Sequence, residues 1–115
     1  MSDCTVYYNP HCSKCRALLE WLAARGIAAQ LIDYQRQPPD AATLARLLHL
    51  LGDEAPALLR RDESELAALG IASDSSPIDI VATLVLHPQL MQRPVIVCGE
   101  RALIARPPQR ALEIL

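Results

Sequence analysis

Two cysteines three residues apart, Cys12 and Cys15, stand between a β-prone run and an amphipathic stretch, and this limits the fold more than any other part of the chain. Cys4–Tyr8 (CTVYY) combines β-branched and aromatic residues and predicts a strand. Asn9-Pro10 ends it, because a residue before proline avoids helical geometry. From Ser13 to Arg25 the apolar residues Leu18, Trp21 and Leu22 recur at helical spacing, and Gly26 is a natural stop. Ala29–Tyr34 (AQLIDY) then reads as a second strand. Strand, helix and strand in this order make a βαβ unit with parallel pairing.

The middle of the chain changes character. Pro38-Pro39 interrupts it, and Asp40 is placed to cap a helix with apolar residues at Leu44, Leu47, Leu48 and Leu51, closed by Gly52. Short helical pieces follow over Ala55–Arg61 and Ser64–Leu69, with Gly70 as a stop. Ser76-Pro77 supplies a cap and a first-turn proline for a helix reaching about Leu86. Pro94–Cys98 (PVIVC) returns to strand, Gly99-Glu100 forms a hairpin turn, and Ala102–Ala105 comes back antiparallel. Arg106-Pro107-Pro108 leads into a final helix ending at Leu115. The order β-α-β, helical block, β-β-α is that of an α/β thioredoxin-like fold. It predicts one domain over 1–115, with a mixed four-stranded sheet and a helical lobe inserted at about 40–87.

Composition narrows the function. Apolar residues make up 51% and charged residues 21%, which excludes a disordered chain. With 19 Leu, 17 Ala and no Phe, the core is one of closely packed helices. The net charge of −2 lacks the basic excess of a nucleic-acid-binding face. Ten of the eleven basic residues are Arg, a bias that suits oxyanion recognition and that a GC-rich genome would also produce. No apolar run reaches the length of a membrane span, and MSDCTVYYNPH lacks the basic-then-apolar order of a signal peptide. The expectation is a cytoplasmic protein whose thiols stay reduced. Cys4, Cys12, Cys15 and Cys98 are then packing residues, metal ligands or redox groups, and stable bridges are not expected. Cys4 and Cys98 fall in strands and read as buried packing.

The C-x-x-C pair carries the chemistry. A helix start offers unpaired N–H groups and a positive dipole end, both of which favour a thiolate. Lys14 and Arg16 add charge nearby. Cys12 is expected as the exposed nucleophile, and Cys15, one turn on, as the more sheltered thiol; oxidation should join these two in preference to Cys4 or Cys98. A zinc site needs four ligands, whereas His11, His49 and His87 are scattered and no second C-x-x-C exists.

Tyr8-Asn9-Pro10-His11-Cys12-Ser13-Lys14-Cys15-Arg16, Ala57-Leu58-Leu59-Arg60-Arg61, Arg93-Pro94-Val95-Ile96-Val97 and Arg106-Pro107 together resemble the glutaredoxin-coupled arsenate reductases, across nearly the whole chain. The resemblance implies that a Cys12 thiolate attacks arsenic while Arg60, Arg93 and Arg106 hold the oxyanion. It makes Pro94 a cis-proline facing the cysteine, and Asn9, His11 and Arg16 supporting residues. It implies no bound cofactor, with glutathione and glutaredoxin as reductant and no direct nucleic-acid or membrane partner. Two residues depart from the family pattern: Tyr8 stands where His is common, a loss that His11 would offset, and Cys15 stands where Ser or Thr is common. Cys15 opens an internal route of resolution, and also two other readings: a general thiol–disulfide oxidoreductase, or a redox switch like the Spx-like regulators that bind RNA polymerase.

Overall fold

The structure, a computed structural model, describes residues 4–59 and 76–115. The chain divides into two compact units, Met1–Pro38 with Arg93–Leu115, and Pro39–Gln92.

The first unit is built on a mixed four-stranded sheet. β1 (Cys4–Tyr8) pairs parallel with β2 (Gln30–Asp33) and antiparallel with β3 (Val95–Cys98), which pairs antiparallel with β4 (Arg101–Ile104). The spatial order is β2-β1-β3-β4. α1 (Ser13–Ala24) connects β1 to β2, and Gly26, at φ +67°, turns the chain out of it. Gly99 takes φ +62° in the β3–β4 hairpin, a conformation a side chain would disfavour. Register explains the core: Val6, Ile96 and Leu103 are successive partners across three strands. Leu18 and Leu22, four apart on α1, pack on that row with Ala105 and Ala111.

The expectations for the final helix and for the cysteines are corrected here. The final helix is a 3-10 helix over Pro108–Glu113, not an α-helix to Leu115. Six residues behind two prolines return too few hydrogen bonds to nucleate an α-helix, and Arg110 Nη1 ties the tight turn to β4 by donating to Ile104 O at 2.9 Å. Cys4 and Cys98 are not separate packing residues: they form a disulfide, so the expectations of no stable bridge and of a preferred Cys12–Cys15 bond fail together. The antiparallel register sets them directly opposite, with Cα atoms 4.2 Å apart, and this adjacency depends on strand pairing that sequence spacing does not contain.

The described residues of the second unit are mainly helical. Asp40 caps α2 (Ala41–Leu51) by accepting from Thr43 N at 2.8 Å, and Leu44, Leu47, Leu48 and Leu51 are buried as one face. A 3-10 helix over Gly52–Leu58 replaces the start of the Ala55–Arg61 helix. Beyond it Gln92 N donates to Leu58 O at 2.7 Å, next to an antiparallel bridge between Leu59 and Met91. Ser76 Oγ accepts from Asp79 N to cap α3 (Pro77–Leu86), which packs on α2 and buries Ile80 and Leu84. The Ser64–Leu69 helix, the Gly70 stop and Arg60-Arg61 lie outside the described residues. No helix among the described residues is long and apolar enough to cross a membrane.

Candidate active site

The site begins with the loop that turns β1 into α1. Asn9 O accepts from Cys12 N at 3.0 Å, while Asn9 Oδ1 accepts from His11 N at 2.9 Å. Buried Asn9 therefore fixes both the backbone and the direction of the 9–12 turn, a local side-chain-to-backbone pattern typical of Asn. The turn leaves Cys12 in extended geometry at the N-cap of α1, φ −95° and ψ 123°. Its thiol makes no regular capping hydrogen bond, yet the N–H groups of Cys15 and Lys14 face the sulfur closely enough to favour its charged form.

The two free thiols are in opposite states. Partial burial works against ionisation of Cys12. Burial is the largest single influence, and it is outweighed only by the sum of a hydrogen bond from Arg93, the N–H groups of Cys15 and Lys14, and the Cys15 side chain. Together they lower its pKa from the ordinary 9.0 to about 7. Cys15 is 0% exposed. Burial pushes its thiol up to about 12 even though Asn9 N donates to its sulfur at 3.3 Å, and the negative charge of Cys12 adds to the rise. One thiol is a ready nucleophile near neutral pH, and its neighbour is a protonated donor held beside it.

Arg93 closes the site from the segment just before β3. It precedes Pro94 through a cis peptide bond, in the position the resemblance implies. Burial would lower its pKa, but the hydrogen bond to Cys12 and the nearby Tyr34 leave it raised, so it stays cationic. Tyr34 is a site residue that sequence reading placed only at the end of a strand. Its pairing with Arg93 depends on the loop after β2; the one available signal was a tyrosine beside an Asp-Tyr-Gln turn. A buried phenol needs a polar partner.

Cys12, Cys15, Asn9 and Arg93 thus meet. His11 and Arg16 are exposed residues flanking the turn and helix start, and His11 enters the site through its backbone N–H to Asn9. Of the expected oxyanion arginines, Arg93 is hydrogen-bonded to Cys12. Arg106 is exposed just beyond β4, ahead of a second cis peptide bond to Pro107, and Arg60 lies outside the described residues. Tyr8 is half-buried against the core row. Among the described residues no group of three or more His, Cys, Asp or Glu side chains is placed to hold a metal ion.

Comparison with known proteins gives this geometry a context. The ArsC family model matches residues 7–114. The chain is 39% identical to the protein YfgD of Escherichia coli strain K12, over 96% of this chain and 94% of the relative. It is 34% identical to an arsenate reductase of Escherichia coli, over 100% of this chain and 82% of the relative. A solved arsenate reductase from Vibrio cholerae superposes with a TM-score of 0.86 at 37% identity, covering 99% of this chain and 98% of that one.

Proposed function

From the premise that this chain belongs to the ArsC family, we propose that it is a thiol-dependent arsenate reductase whose nucleophile is Cys12. The observation that carries the reading is a Cys12 thiol lowered to about 7 and hydrogen-bonded to a cationic Arg93 at the start of α1. Arsenate is a tetrahedral oxyanion, and a guanidinium fork neutralises such an anion while it approaches a thiolate. In the reaction the Cys12 sulfur forms a bond to As(V) and an arsenate oxygen leaves as water. A second thiol then supplies the other sulfur of a disulfide. Two thiols give up one electron pair, arsenic accepts it, and arsenite is released.

The second thiol is glutathione, delivered with glutaredoxin, or Cys15 from within. In this reading the resemblance adds Arg60 and Arg106 to Arg93 as oxyanion-binding residues, and Pro94 orders the backbone that leads into β3. No bound cofactor is required in this reading, because thiols supply the electrons.

A second reading has its own observation. A low-pKa Cys12 beside a buried Cys15 held protonated to about 12 is also the arrangement of a dithiol that exchanges with protein disulfides. Arsenate-dependent NADPH oxidation, coupled through glutathione, glutaredoxin and glutathione reductase, separates the two. The reductase turns over only with arsenate, and Cys12→Ser abolishes the signal. Turnover of a disulfide substrate without any arsenate response would assign the dithiol activity. An Spx-like switch would show neither activity and would retain RNA polymerase in a pull-down.

A further inference from the structure

The contacts around Cys12 continue one residue deeper than the thiol pair. Tyr34 follows β2 directly and is 0% exposed. Its side chain is hydrogen-bonded to the Arg93 guanidinium, which is also hydrogen-bonded to the Cys12 sulfur. Guanidinium has five N–H donors and no acceptor, so it donates to both the phenolic oxygen and the sulfur. Two acceptors on one planar fork set the plane in which the other donors lie. One acceptor alone leaves the group free to turn about its long stem.

The backbone around Tyr34 is equally constrained. Asp33 O accepts from Arg36 N at 3.1 Å and from Gln37 N at 2.8 Å, closing a turn immediately after the strand. Asp33 is the register partner of Tyr8, four residues before Cys12. The phenol is therefore referenced through the sheet to the same strand that delivers the thiol. The polar groups that face it are Arg93, Cys15 and the Gln35 side chain.

We propose that Tyr34 is a positioning residue whose buried phenolic oxygen holds the Arg93 guanidinium against Cys12 Sγ. It acts on Cys12 through Arg93 and takes no part in the chemical step. The proposal rests on Cys12 being the reactive thiol and is independent of whether arsenate is the substrate.

The test is the pH–rate profile of Cys12 alkylation by iodoacetamide, followed by mass mapping, in the unaltered protein and in Tyr34→Phe. Phenylalanine keeps the ring and removes the acceptor. The midpoint near 7 is expected to rise by about one unit, so that alkylation at pH 7 falls about fivefold. In an Arg93→Ala background, Tyr34→Phe is expected to change nothing further. A Tyr34→Phe protein that melts earlier but keeps the midpoint near 7 would show a packing role and overturn the proposal. An ordinary midpoint in the unaltered protein would instead remove the nucleophile reading, and the proposal with it.

A measurement on the unaltered protein covers the case in which Tyr34→Phe does not fold. The ring Cζ resonance of Tyr34 is expected to follow the Cys12 titration, and to lose that response in Arg93→Ala. A ring resonance that ignores the titration would overturn the proposal without any change at Tyr34.

Discussion

The start of α1 and the β1–β3 seam each hold two cysteines, and they treat sulfur in opposite ways. Along the chain Cys12 and Cys15 are neighbours, yet they stay unlinked and differ widely in acidity. Cys4 and Cys98 are 94 residues apart, yet they are bonded. In the seam, register sets the outcome: two strands bring two sulfurs face to face among apolar neighbours. At the helix start, the fixed N–H groups and one guanidinium favour the charge of one thiol, while burial suppresses that of the other. Distance in sequence decides neither case. What surrounds each sulfur decides both.

This contrast predicts effects of graded size. Cys12→Ser is expected to reduce turnover to background with the fold intact, since a serine hydroxyl is a far weaker nucleophile near neutral pH; circular dichroism beside the coupled assay checks both halves. Cys98→Ser should act on the other pair alone. Losing the bridge is expected to cost about 2–5 kcal/mol in denaturant unfolding without reductant, while the Cys12 alkylation profile keeps its midpoint near 7. If that midpoint moved with the seam, the two regions would not be independent.

Smaller effects sharpen the comparison further. Arg93→Ala removes the largest contribution that favours the Cys12 thiolate. Alkylation at pH 7 should then slow by about tenfold or more, the loss shrinking as pH rises through the ordinary cysteine range. Cys15 titrates in the opposite sense. Its folded pKa of about 12 lies above the ordinary 9.0, so the folded state keeps a proton that the unfolded chain releases. Stability is therefore expected to fall as pH climbs from about 9 toward 12, and Cys15→Ala should flatten that slope. At the small end, Asp40→Ala removes the α2 cap and is expected to lower the denaturant midpoint slightly, with no effect on either cysteine pair.

Much of the frame was legible because local chemistry dictates it. Asn9-Pro10, Asp40 and Ser76-Pro77 mark their own boundaries, and Leu44, Leu47, Leu48 and Leu51 declare the buried face of α2. The parallel β1–β2 pairing followed from the crossover, and β3 from its apolar run. The unequal exposure of Cys12 and Cys15 was also readable from their places on the first helical turn. The Cys4–Cys98 bond and the Tyr34–Arg93 contact were not, since both depend on which segments lie side by side. The final helix was misread because a proline pair suits the first turn of an α-helix and of a 3-10 helix equally; the contact of Arg110 with Ile104 O is tertiary.

The bond between residues 4 and 98 also makes most of the chain a closed covalent loop, with residues 1–3 and 99–115 outside it. A single peptide cut inside the loop opens the ring but releases no fragment. The cut protein would still run as one species on a non-reducing gel, and a thiol reagent alone would part the pieces. Proteolytic damage within the loop is thus a two-key event, in which the protease turns the first key and the reducing power of the surroundings holds the second.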